Sequence, residues 1–156
     1  MEKLLIGKYV KTHGIKGEIK IKSNFKYKNK VFKVGNKIYL DSREFFINSY
    51  RIHQEYDMIT LKGINNINDI IDLKGSNVYI DKSSLILDKN EYLDEDLIGF
   101  DIYMNNNLKG KVADIINLNK DKKLLAINNK YVPLELIKEI DFNNKKIEIM
   151  EVDGLL

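Results

Sequence analysis

The sequence predicts a mostly β protein: two small antiparallel β-barrels in tandem, with one short helix in the first. Three observations carry this. Short stretches alternate apolar and polar residues, as a strand with one buried face does. Glycine or asparagine turns separate them. The alternation of strands and helices typical of a parallel α/β enzyme is missing. A stretch of weak periodicity, 81–91, interrupts the pattern, so the expected division is a first barrel over 1–82, a linker over 83–95 and a second barrel over 96–156.

In the first barrel, residues 4–11 read as a strand with Ile6 and Val10 on one face. Residues 18–23 alternate strictly, Ile19 and Ile21 to one side, Lys20 and Lys22 to the other. Between them, Gly14 and Gly17 allow a tight connection at positive φ. Residues 37–40, 44–52, 58–61 and 77–80 are the remaining strands. The helix is expected over 66–74, where Ile67, Ile70, Ile71 and Leu73 recur at three-and-four spacing. Asn66 is placed to cap it, Asp69 to meet its dipole and Gly75 to end it. Six short strands favour closure, because closure removes exposed edges.

The second half repeats the pattern with strands over 100–104, 109–118, 123–127 and 145–150, and asparagine pairs or triplets between them. Pro133, the one proline, opens a segment over 134–138 that reads as a helical turn.

Charge is unevenly distributed. Residues 1–82 carry sixteen Lys/Arg against nine Asp/Glu, and residues 83–156 carry ten against fourteen. Such asymmetry points to nucleic acid or a membrane surface, or to a solvated lysine-rich face. The early charges of MEKLLIGKYVK do not fit a signal peptide, and no run approaches a membrane span. The absence of cysteine excludes disulfides and thiolate metal sites. The expected location is cytoplasmic, with no membrane partner.

Catalytic constellations are hard to find. His13 and His53 fall in different elements without metal-ligand spacing, and read as structural or surface residues; His13, between lysines in a glycine-flanked turn, could also meet a phosphate. Gly14 and Gly17 do not complete a phosphate-binding Walker loop, and no serine lies in a nucleophile elbow. Glu91, Asp94, Glu95 and Asp96 lack the spacing of a calcium loop, leaving a solvated acidic face or a partner-docking surface. No catalytic residue, metal or cofactor is expected.

Binding suits the residues better. Lys26, Lys28, Lys30 and Lys33 interleave with Phe25, Tyr27 and Phe32, so lysines could neutralise phosphates while an aromatic stacks on a base. The competing reading, preferred for the aromatics, is that Phe25 and Phe32 pack against the barrel. Candidate RNA contacts are Lys11, His13, Lys16, Lys20, Lys22, Lys26 and Lys28.

The stretch GKYVKTHGIKGEIKI resembles the N-terminal signature of the RimM family of ribosome maturation factors, with its core at His13, Gly14, Ile15, Lys16, Gly17 and Glu18. Glu91-Tyr92 followed by Asp96-Leu97-Ile98-Gly99 resembles the opening of that family's second domain. Gly110-Lys111-Val112, Val132-Pro133, Ile137 to Asp141 and Gly154-Leu155-Leu156 follow in the family's order.

The resemblance implies a translation-factor-like first barrel and a second barrel of the PRC type. It further implies a non-enzymatic ribosome assembly chaperone, expected to be monomeric. Such a chaperone binds the immature small ribosomal subunit, contacts ribosomal protein S-nineteen of its head, approaches 16S rRNA and promotes head maturation and rRNA processing. The paired aromatics of the second motif are implicated in ribosome association; here Tyr92 matches and Leu93 stands at the other position. The expected ribosomal-protein surface is Glu91, Tyr92, Leu93, Asp94, Glu95 and Leu97. The alternative is a generic RNA-binding barrel protein whose second barrel serves as a scaffold or dimerising piece.

Overall fold

A computed structural model describes residues 1–119 and 122–156. The backbone divides into two units, Met1–Ile86 and Leu87–Leu156, each with its own apolar core.

The first unit contains β1 (Lys3–His13), β2 (Glu18–Lys22), β3 (Lys37–Leu40), β4 (Arg43–His53), β5 (Tyr56–Leu61) and β6 (Asn77–Asp81). Hydrogen-bonded neighbours run β1-β2-β5-β4-β3-β6, and β6 pairs back onto β1, so the sheet closes. The inward set includes Ile19, Ile21, Ile38, Leu40, Ile59 and Leu61, all essentially inaccessible to solvent.

β1 departs from simple alternation. A bulge between Tyr9 and Lys11 adds one residue opposite β2, which turns the strand by one register step. An earlier bulge, between Leu5 and Gly7 opposite β6, brings Tyr9 into the core with Ile6 in place of the expected Val10, and the bulge after Tyr9 then leaves Lys11 pointing outward. Gly7 stands at the earlier bulge, where a Cβ would lie 2.8 Å from Ile21 Cγ2 and 2.9 Å from the Lys22 carbonyl oxygen. Only glycine lets β1 and β2 approach this closely.

Two helical features differ from expectation. The segment 66–74 forms two single 3-10 turns, Ile67–Asp69 and Ile71–Leu73, rather than one helix. Asn66 does cap the first, accepting a hydrogen bond from Asn68 N at 2.9 Å. The segment is short and rich in β-branched and asparagine residues of poor helix propensity, and of its apolar stripe only Ile70 is fully buried. The α-helical turn is instead α1 (Lys28–Val31). It brings Val31 and Phe32 into the core with Phe25 packed alongside, and Phe32 stacks on Tyr50 at 5.8 Å between ring centroids.

The second unit contains β7 (Asp101–Met104), β8 (Asn107–Lys111), β9 (Asp114–Asn119), β10 (Lys122–Ile127), β11 (Lys130–Pro133), β12 (Ile137–Asp141) and β13 (Lys146–Ile149). In place of the expected second closed barrel they form two sheets, β11-β10-β9 and β12-β13-β7-β8. One core lies between them: Ile102, Ile147 and Ile149 come from one sheet, Leu125, Ile127 and Val132 from the other.

The expected single strand over 109–118 is split. Val112 N donates to Phe100 O at 2.9 Å while Ala113 N donates to Ala126 O at 2.8 Å, so the chain changes sheets between two consecutive residues. The pairing is antiparallel except at one place, where β13 runs parallel to β7. A parallel neighbour requires a long crossover, and here the intervening chain supplies it by passing through the other sheet. The expected helical turn over 134–138 is a 3-10 turn, Leu134–Leu136, that leads directly into β12. Asp94–Leu97 is likewise a 3-10 turn. Its Leu97 is fully buried in the second core, which ties the end of the expected linker to this unit. Among the described residues no helix is long and apolar enough to cross a membrane.

Candidate functional site

The first candidate surface is the outer face of the β1–β2 ribbon. The register places Lys8 opposite Lys22, Lys11 opposite Lys20 and His13 opposite Glu18. Lys8, Lys11, Lys22 and His13 are exposed, and Lys20 is half-buried with its ammonium 5.0 Å from the centre of the Tyr56 ring. Like charges directly opposite in an antiparallel pair destabilise it. Two successive lysine rungs are therefore retained at a cost to the fold. The β1 bulge creates this face, since without it Lys11 would turn toward the core.

The sheet order also brings together residues that the sequence keeps far apart. His13 at the end of β1 and His53 at the end of β4 have ring centroids 5.8 Å apart, tilted by 49°. The two histidines belong to different elements, as expected, yet their rings meet. The β1-β2-β5-β4 order leads the two strand ends to one rim of the barrel. Beside them Arg51 donates from Nε and Nη2 to the Glu18 carboxylate at 2.9 and 2.7 Å. The Arg51 hydrogen bond holds the Glu18 carboxyl below its ordinary value; burial opposes this, and the charges of Arg51, His13 and His53 assist it.

The other basic candidates separate. Lys16 is exposed in the loop between the two strands. The Lys26 ammonium lies 5.6 Å from the Tyr27 ring centre. Lys28 is engaged internally, its Nζ 2.8 Å from the Asp57 carboxylate, which is 2% exposed. Lys28 is thus engaged within the first unit while its side chain stays 33% exposed. Phe32 and Tyr27 are buried and Phe25 packs on the core, so stacking of bases on this loop is not what its rings do.

The second candidate surface belongs to the second unit. Tyr92 is half-buried and packs on the core. Its ring is 5.6 Å from that of Phe142, which in turn meets buried Phe100 edge-on at 6.0 Å. Phe142 is 37% exposed, so an aromatic ledge emerges from the core at Tyr92 and Phe142. Leu93 and Leu97 do not contribute to that ledge, being 8% and 0% exposed. Both are core residues, which corrects their assignment to a contact surface. Asp94 forms an ion pair with Lys123. Glu91 is half-buried, and Glu95 and Asp96 are exposed.

Sequence reasoning missed Lys8, His53, Tyr56 and Phe142. Lys8 lies within the lysine-rich stretch and could have been counted there. Phe142 carries no local signal, because its meaning comes from a ring fifty residues earlier.

Among the described residues, no group of three histidine, cysteine, aspartate or glutamate side chains could hold a metal ion. The class defined by fold and surfaces is a two-unit β protein with a basic closed first sheet and an aromatic ledge on an acid-rich second unit. The model of the RimM N-terminal domain matches residues 4–85. The ribosome maturation factor RimM of Staphylococcus aureus (strain bovine RF122 / ET3-1) is 37% identical over 97% of both chains. The crystal structure of a 16S ribosomal RNA processing protein RimM from Pseudomonas aeruginosa superposes with a TM-score of 0.48 at 17% identity, covering 97% of this chain and 98% of that one. The solution structure of the N-terminal domain of RimM from Thermus thermophilus gives 0.49 at 17% identity, covering 56% and 98%. The chain belongs to the RimM family of ribosome maturation factors.

Proposed function

We propose that this chain is an assembly chaperone that acts by binding, without catalysis or cofactor. It holds the immature small ribosomal subunit, contacts ribosomal protein S-nineteen of the head through the Tyr92 ledge, and promotes head maturation and 16S rRNA processing. The supporting observation is the partly exposed Tyr92–Phe142 pair on the acid-rich unit. Ribosomal proteins are generally basic. Acidic residues beside the ledge, Glu95 and Asp96, would speed and orient encounter with such a partner, and the aromatic rings would hold it once docked.

Sedimentation of the protein with immature and mature small subunits tests this. Enrichment on the immature particle, reduced by Tyr92→Ala and by Glu95→Lys, is the expected result. Equal association with both particles, or association untouched by both substitutions, overturns it. The lysine ribbon favours a second reading, a general RNA-binding protein, which predicts equal binding to both particles and to unrelated RNA.

A further inference from the structure

The outer face of the β1–β2 ribbon combines three features. Two lysine rungs, Lys8/Lys22 and Lys11/Lys20, follow one another along the strands. At about 3.4 Å per residue, the two positions from Lys22 to Lys20 separate the rungs by about 7 Å, a spacing on the scale of one nucleotide of an extended strand. The paired rings of His13 and His53 stand at the end of this line. The carboxylate on the third rung, Glu18, is neutralised by its two hydrogen bonds from Arg51, so it does not repel a polyanion laid along the lysines.

We propose that this face is a binding site for unpaired RNA. The lysine rungs hold successive phosphates, and the His13–His53 pair receives a base at the end of the track. The inference rests on the reading of the chain as a factor directed at ribosomal RNA, and adds the kind of RNA it takes. Lysines alone would accept any phosphodiester backbone, duplex included. A partly exposed imidazole pair adds selectivity, because histidine rings stack on bases and only unpaired bases are free to leave the helix and reach them. The tilt of 49° leaves the two rings splayed rather than closed face to face. Arg51 and Lys20, two neighbours of Met58 across the sheet, border the same face.

The test uses the full chain and fluorescence anisotropy with a labelled single-stranded RNA of about twelve nucleotides, within the usual site size of such barrels, and with the corresponding duplex. Four phosphate contacts predict a log–log salt slope near −3 at about −0.7 per contact. Lys8→Gln with Lys22→Gln should flatten the slope by about 1.4. The same pair should melt no lower than the parent, because it removes a like-charge rung; this separates lost binding from lost folding. His13→Ala or His53→Ala should weaken single-strand binding about tenfold with the slope unchanged, and His53→Tyr should restore it.

A salt slope unmoved by the double lysine substitution overturns the phosphate track. Equal affinity for duplex and single strand, or alanine variants that bind as the parent does, overturns the base site. A parent that binds no oligonucleotide yet still associates with small subunits through Tyr92 overturns this site alone, so failure of the two readings is distinguishable.

Discussion

Lys28 Nζ lies 2.8 Å from the carboxylate of Asp57, a side chain that is 2% exposed in the first unit. The same carboxylate accepts a 2.6 Å hydrogen bond from the Tyr50 hydroxyl, and burial together with that bond pushes the Tyr50 phenol well above its ordinary value. Asp57 belongs to β5 and Tyr50 to β4, whereas Lys28 arrives from α1. The pair therefore fastens the basic loop to the barrel.

Removing one member of a buried pair leaves the other charge uncompensated. Lys28→Met should lower the unfolding free energy by roughly 3 kcal/mol, the low end for buried pairs, since Lys28 remains 33% exposed. Denaturant unfolding measures it. The salt slope of RNA binding should stay at the parent value, which separates Lys28 from Lys22; a flattened slope would return Lys28 to the contact surface.

The Glu18 carboxyl is held below its ordinary value of 4.5 by Arg51. A depressed carboxyl contributes stability that is fully present above its unfolded value and is lost as pH falls through the folded one. The parent should therefore be more stable than Glu18→Gln at neutral pH, and the difference should shrink below about pH 4.5. Thermal melts of both proteins across that range check this; a difference that grows on acidification contradicts the assignment.

Leu93 and Phe142 should respond differently to alanine. Leu93→Ala removes a buried side chain and should cost about 2–4 kcal/mol of stability. Phe142→Ala removes a partly exposed ring, so its loss should be smaller, while association with small subunits falls as it does for Tyr92→Ala. Paired melting and sedimentation measurements decide it. If Phe142→Ala sediments like the parent, the ledge is only a cover for Phe100.

Strand positions in the first unit were largely legible in the sequence. Ile19 and Ile21 alternate with Lys20 and Lys22, and the structure buries the first pair and turns the second outward. Such periodicity is written locally. The segment 66–74 misled because isoleucines at three-and-four spacing suit either a helix or successive turns, and propensity together with burial of Ile70 alone decided for turns. At the candidate sites, Tyr92 and the ribbon lysines could be singled out from local pattern. The burial of Leu93 and Leu97 could not, because apolar residues serve a core and a docking face equally well.

By itself the sequence determined the mostly β character, the basic and acidic halves, the glycine turns and the family. Tertiary structure decided which residues meet. It set the bulge that turns Lys11 outward, joined His13 to His53 and Phe142 to Tyr92, withdrew Lys28 to Asp57, and made β13 run parallel to β7. The physical reason is range. Alternation and turn chemistry act over a few residues, whereas register and strand order depend on how distant segments share one core.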